Sequence, residues 1–391
     1  MIELKEGIYW VGALDWDIRN FHGYVTHRGT TYNTYLVVDE KVALVDTVKD
    51  KFFPEMMKRI METVDPSEID YLISNHTEPD HSGCISKFME IAENAELIAS
   101  QFGVRNLREY YGEDLVITSI KEKPSVNLGR RTLQFVPVPM AHWPDSMVTY
   151  VPEEKILFSN DAFGQHLASS GRFDDEVDPA VLMQEATTYY ANILMPLWTS
   201  VGRALKALEG VEVEIIAPSH GIIWRSDPGK ILEAYLRWVE GGTVSKAVVV
   251  YDTMWGSTQK IAQALVEGLI EEGAEVKVHK LGASHNSDAI ADILDARAIL
   301  VGSPTLNNGL FPTVASFLAY LEGLKPRKKV GAFFGSYGWG GGARKAVETS
   351  LEAAGIELIE SELDFKFRPK DSELNKAREI GRTVAKKILS D

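Results

Sequence analysis

Between residues 32 and 47 apolar and polar positions alternate through Tyr32, Tyr35 and Val37. An Asp39-Glu40-Lys41 turn and the run Val42-Ala-Leu-Val-Asp46 follow, which together predict a β-hairpin. Up to about residue 160, short apolar runs recur at Tyr71–Ser74, Glu96–Ala99, Leu133–Val136, Val148–Val151 and Lys155–Phe158, and helical spacing appears near 51–63 and 84–93. Helical spacing then dominates 179–209, a strand is expected at Glu212–Ala217, and another helix from Pro228 to about Glu240. Strands grouped in runs, with helices outside them, predict an α+β domain layered as an αββα sandwich.

The pattern changes at Glu240-Gly-Gly-Thr243, which reads as a linker. Beyond it strands at Lys246–Tyr251, 275–280, 297–302, 329–335 and 356–362 alternate with helices at 258–272, 286–293, 312–322, 341–353 and 371–389. Strict alternation predicts an α/β domain with a five-stranded, doubly wound parallel sheet. We therefore expect two domains, 1–243 and 244–391. A chain of 391 residues also exceeds what one core usually serves.

Composition narrows the chemistry. With 45% hydrophobic and 25% charged residues, both halves should fold. The N-terminus carries no basic segment leading into an apolar one, and no window approaches the ~18 apolar residues of a membrane span, so a cytoplasmic location away from membranes is expected. A net charge of −15 disfavours nucleic acid. The lone Cys84 excludes an intrachain disulfide or a cysteine-ligated iron–sulfur centre within the chain, so electrons for any redox chemistry must come from an external donor.

In a doubly wound sheet the ligand lies beyond the carboxyl ends of the strands. Three loops there have unusual composition. Thr253-Met254-Trp255-Gly256-Ser257-Thr258 follows an apolar strand and opens a helix, so its hydroxyls and N–H groups suit a phosphate. It has neither a Walker lysine nor a G-x-G-x-x-G pattern, which favours a flavin monophosphate over ATP or NAD. The loops Gly302–Gly309, with Ser303, Pro304, Thr305, Leu306 and Asn307, and Gly335–Gly342, with Ser336, Tyr337, Gly338, Trp339 and Gly340, together combine glycines for close backbone approach with aromatics able to stack on an isoalloxazine. Taken together the loops resemble the flavodoxin pattern, although stand-alone flavodoxins usually have a smaller residue where Trp255 stands.

In the first domain, strand Tyr71–Ser74 runs into Asn75-His76-Thr-Glu78-Pro-Asp80-His81-Ser-Gly83. A loop after a buried strand is where a rigid scaffold can aim ligands at one point. His142, Asp161 and His220 likewise follow apolar strands. This layout resembles the metallo-β-lactamase superfamily, whose hydrolases usually have H-x-H-x-D-H and bind zinc. Here Glu78 replaces the second histidine, and four histidines with three carboxylates suit iron better than zinc.

H-x-E-x-D-H, followed by these later loops and a flavodoxin-like half, resembles the flavodiiron (A-type flavoprotein) family across the whole chain. The resemblance implies that His76, Glu78 and His142 hold one iron, that Asp80, His81 and His220 hold the other, and that Asp161 bridges. It implies FMN in the second domain and reduction of dioxygen to water, of nitric oxide to nitrous oxide, or both. Four electrons for dioxygen match two from FMN and two from the irons, whereas nitric oxide needs only two, so stoichiometry leaves the substrate open. The resemblance also implies a rubredoxin-like protein or a reduced deazaflavin coenzyme as donor, and a head-to-tail homodimer or dimer of dimers. His22 and Tyr190 match positions near the active site of family members and are candidates for proton donation. His166 is expected to support the site without ligating, and His279 and His285 to lie on the surface. A zinc hydrolase carrying a flavodoxin module, or a plain electron carrier, are the competing readings.

Overall fold

The computed structural model describes residues 2–390 and resolves into two compact units, one running to Tyr189 and including Leu197–Leu236, the other Tyr190–Pro196 with Arg237 onward.

The first unit contains two mixed sheets. One has seven strands, in spatial order Ile2–Lys5, Ile8–Trp10, Tyr35–Val38, Val42–Val45, Tyr71–Ser74, Glu96–Ala99 and Ile117–Ser119. The other orders Ser125–Asn127, Thr132–Pro137, Met147–Val151, Ile156–Asn160 and Ile215–Pro218. The two-residue period of the strands explains the layering. Val37, Val45, Ile73 and Ile98 join Phe135, Met147, Phe158 and Ile215 of the other sheet in one core. Their sequence neighbours Leu36, Leu44, Leu72 and Leu97 turn the other way, onto Met56, Ile60, Phe88 and Leu107 in a second core. A strand buried on both faces reads as a continuous apolar run, as Tyr71–Ser74 does.

In the second unit the order is Glu275–Lys280, Val244–Tyr251, Ala296–Pro304, Val330–Tyr337, all parallel. The expected single strand at 356–362 is instead two short pieces, Glu357–Leu358 and Asp364–Lys366, each pairing with Val330–Tyr337. Chain order reverses beside Val244–Tyr251, which creates the crevice where such folds bind ligands. Helices Ser257–Glu271 and Asp371–Ser390 pack so closely that a Cβ on Gly268 would lie 1.9 Å from the Arg378 carbonyl oxygen.

Two local expectations need revision. The helical stretch 179–209 is broken into Pro179–Tyr189, a π turn at Tyr190–Leu194, a 3-10 turn at Met195–Leu197 and the helix Trp198–Ala207. Pro196 lacks the N–H that a continuous helix needs, and the wider turn takes up the mismatch. A helix at Gln101–Tyr111 was not anticipated; the Ser100 hydroxyl caps it by accepting from Gly103 N at 3.0 Å. Among the described residues no helix is long and apolar enough to cross a membrane.

Candidate metal centre and flavin cavity

The loop leaving Tyr71–Ser74 turns at Glu78 into the short helix Pro79–Ser82, where Pro79 occupies the first turn without wasting a donor. This carries His76, Glu78, Asp80 and His81 to one place, and His142, Asp161 and His220 meet them there. His76, Asp80, His81, Asp161 and His220 are buried, while Glu78 and His142 retain slight exposure. Around the site Met140, Asn160 and His22 hold left-handed backbone (φ 64°, 60° and 52°).

Asp161 organises the geometry. Its Oδ2 lies 3.0 Å from His142 Nε2 and 3.5 Å from His76 Nε2, and its Oδ1 lies 3.2 Å from His81 Nε2 and 3.5 Å from His220 Nε2. Glu78 Oε2 completes the first set, 3.3 Å from both His76 and His142. Asp80 Oδ2 completes the second, 3.3 Å from His81 and 3.1 Å from His220. Two donor sets therefore share one carboxylate.

For six of the seven groups burial favours the neutral form but mutual attraction outweighs it: His81 is raised to about 9, His76 and His142 are also raised, and Glu78, Asp80 and Asp161 are held low. The cluster demands positive charge. Both oxygens of Asp80, both nitrogens of His81 and Nε2 of His220 are buried without a hydrogen bond, although ion-pair partners stand within 3.3 Å. Lone pairs that converge on a common space, off the hydrogen-bond directions, fit cations.

In the second unit a cavity of about 900 Å³ opens at the strand ends. Thr253–Ser257, Pro304–Asn307 and Ser336–Gly340 line it, as the loop composition predicted. Thr253 Oγ1 accepts from Gly256 N at 3.0 Å, and Gly256 takes φ +85°, which turns the chain into helix Ser257–Glu271. The helix N-terminus at the cavity wall suits a phosphate. Trp255 and Trp339 are 89% and 94% exposed, free to flank a planar ring.

Comparison with known proteins assigns both halves. Residues 30–221 match the model of the ODP family beta lactamase, and residues 249–381 match that of flavodoxin. The chain is 51% identical to the nitric oxide reductase of Moorella thermoacetica, covering 99% of this chain and 98% of that one. It is 38% identical to the rubredoxin-oxygen oxidoreductase of Megalodesulfovibrio gigas, with 99% and 98% covered. The crystal structure of the flavodiiron protein from Giardia intestinalis superposes with a TM-score of 0.97 at 35% identity, over 100% of this chain and 97% of that one. This chain belongs to the flavodiiron family of oxidoreductases.

Not every residue expected of a flavodiiron site falls where it was sought. His22 reaches the first donor set, its Nε2 3.2 Å from Glu78 Oε1 and its ring stacked 4.0 Å from Phe21. Tyr190 does not. It packs on Trp238, ring centroids 4.9 Å apart, and Tyr189 instead meets His166 and His220 at 5.1 and 6.3 Å. Both tyrosines are buried, but Tyr189 rather than Tyr190 is the one beside the histidines. His166 is buried with Nδ1 2.7 Å from Thr30 Oγ1, and burial with neighbouring histidines holds it neutral. Thr258 and Ser303 are buried behind the cavity wall: Thr258 Oγ1 lies 3.1 Å from Ser336 Oγ, and Ser303 Oγ accepts from Phe311 N. Lys260, Asn308, Phe367 and Arg368 line the flavodiiron cavity and were missed. The lysine lies only two residues past the phosphate loop and was the one with a readable signal. His279 is buried against Asp292 at 2.8 Å, contrary to expectation, whereas His285 lies on the surface as expected, where it caps helix Asn286–Ile293.

Proposed function

We propose that this chain reduces dioxygen, nitric oxide or both, taking electrons from an external carrier through FMN to two irons. The observation that carries the reading is the split of Asp161, whose two oxygens address two separate histidine pairs. We assign His76, Glu78 and His142 to one iron, Asp80, His81 and His220 to the other, and Asp161 to both. Thr253–Ser257, Pro304–Asn307 and Ser336–Gly340 would hold FMN, with Thr258 and Ser303 shaping the wall behind them. The functional division is 1–243 for metal and 244–391 for flavin.

When bound, the irons would take up the gas and exchange electrons with it, and the flavin would relay electrons to them. The protein's own part is to bury the site, which limits escape of partly reduced species, and to deliver protons. His22, beside Glu78, and Tyr189, whose hydroxyl is buried without a hydrogen-bond partner and stays protonated because burial and the Asp161 charge raise its pKa, are the donors we assign. Tyr190 packs on Trp238 and keeps at most a supporting role. The donor we favour is a rubredoxin-like protein, with a reduced deazaflavin as the alternative, acting in the cytoplasm.

Anaerobic purification with iron, zinc and flavin quantified, followed by oxygen and nitric oxide consumption with each donor, tests the reading. Two irons and one FMN per chain are expected. Stoichiometric zinc without iron, from iron-replete cells, refutes it. We also propose a head-to-tail homodimer. Mixing a variant lacking metal ligands with one lacking FMN should restore activity after subunit exchange, and failure to do so in demonstrated heterodimers overturns that arrangement.

A further inference from the structure

Asp145 stands just behind His76. Its side chain is fully buried, and Oδ2 accepts from His76 Nδ1 at 3.0 Å, from Thr77 N at 2.8 Å and from Thr77 Oγ1 at 2.9 Å. Oδ1 accepts from Asn106 Nδ2 at 3.1 Å, and the Asp145 carbonyl accepts from Ser100 Oγ at 2.7 Å. The carboxylate is thus fixed by four donors. Because His76 Nδ1 donates to it, the Nε2 lone pair is the one that faces Glu78 and Asp161.

The second donor set is built differently. His220 Nδ1 lies 2.6 Å from the backbone carbonyl of Thr31, a neutral acceptor, and His81 Nδ1 has no hydrogen-bond partner. A carboxylate behind a ligating imidazole raises its basicity more than a carbonyl does, and loss of such partners typically costs about 10–100-fold in metal affinity.

We propose that Asp145 is a positioning residue that makes the two metal positions unequal, so that the His76–Glu78–His142 position binds its metal more tightly and is the second to be reduced. The inference rests on the ligand assignment above. Asp145 fixes one tautomer of His76 and feeds negative charge through the ring by a direct hydrogen bond, whereas at the other position His220 bonds a carbonyl dipole and His81 feels the buried Asp46 carboxylate only through space.

Asp145→Asn tests it, since an amide oxygen still accepts from His76 while the charge is gone. The holoprotein enriched in ⁵⁷Fe is read by Mössbauer spectroscopy during stepwise reduction, by iron release to a chelator, and by FMN content. The expected result is one altered doublet out of two, a 10–100-fold faster or easier release of one iron, reversal of the order of reduction, and full FMN. Both doublets shifting alike, or neither shifting with unchanged release, overturns the inference. Should Asp145→Asn not fold, Asn106→Ala keeps the charge and removes one clamp: up to tenfold easier release of the same single iron is expected, and unchanged or equal release refutes the idea. If the unmutated chain fails to bind two irons, the ligand assignment itself falls and takes this inference with it.

Discussion

Lys329 provides a stability prediction with a sign that depends on pH. It is 3% exposed, and its ammonium donates to the Leu294 carbonyl at 2.9 Å. Burial, aided by repulsion from Lys246, Arg297 and Lys328 and only partly offset by Asp295, lowers its pKa from 10.5 to about 7. The unfolded chain therefore holds the proton more tightly than the folded one, and stability rises with pH between those two values by about 1.4 kcal/mol per unit. Below pH 7 the penalty is complete, roughly 5 kcal/mol; above about 10.5 it has vanished. Lys329→Met removes the penalty but leaves the Leu294 carbonyl unpaired, which costs about 1–3 kcal/mol. At pH 6 the variant should gain about 2–4 kcal/mol, a rise in Tm on the order of 5–10 °C for a unit of this size. At pH 10 the remaining penalty is roughly 1 kcal/mol, so the variant should be equal or less stable. Calorimetry of both proteins at pH 6, 8 and 10 gives the answer, and a Tm difference that does not change with pH refutes the reasoning.

Asp161→Ala removes the carboxylate shared by both donor sets, and it should abolish gas reduction and iron binding while FMN absorbance persists; loss of FMN as well would point to misfolding. Tyr189→Phe should lower turnover about 100-fold or more with little change in iron content, while Tyr190→Phe should stay within about twofold of the parent, and equal effects would undo the assignment of Tyr189. Lys260→Ala should weaken FMN about fivefold, more at low salt, and leave riboflavin affinity alone if the ammonium serves the phosphate. An equal loss for riboflavin would place Lys260 at the ring end of the cavity instead.

How much of this was legible depends on what each feature asks of the sequence. The proposed metal positions call for particular side chains, so His76, Glu78, Asp80 and His81 stand out within six residues, and the apolar strands leading to His142, Asp161 and His220 point to the other candidates. The parallel sheet of the second unit was equally plain, because strands buried on both faces must be apolar throughout. Glu275–Lys280 and helix Asn286–Ile293 fall where periodicity puts them. The short edge pieces Glu357–Leu358 and Asp364–Lys366 did not, since an edge that pairs on one side needs no continuous apolar run. Phe367 escaped notice for a similar reason: it follows that edge with φ +59° and reaches the cavity by chain reversal, which composition does not encode.

Two misses share a deeper cause, that direction is decided outside the local pattern. Adjacent residues of a helix point about 100° apart, so a single change of winding decides between Tyr189 and Tyr190. The winding changes where it does because Pro196 cannot donate and the segment Tyr190–Pro196 finds its partners in the second compact unit, with Asn192 bonding Ser287 O and Tyr320. Asp145 is the converse case. It sits in plain view three residues after His142, yet it serves His76, 69 residues away, through a pairing that only the packing of Met147–Val151 near the Asn75 loop creates. The proposed ligands are candidates by residue type, which a sequence displays, whereas the groups that aim and charge them are specified by tertiary register. The unequal partners of His76 and His220 follow from that register: strand Thr30–Tyr32 brings only a backbone carbonyl to His220, and the loop before Met147 brings a carboxylate to His76.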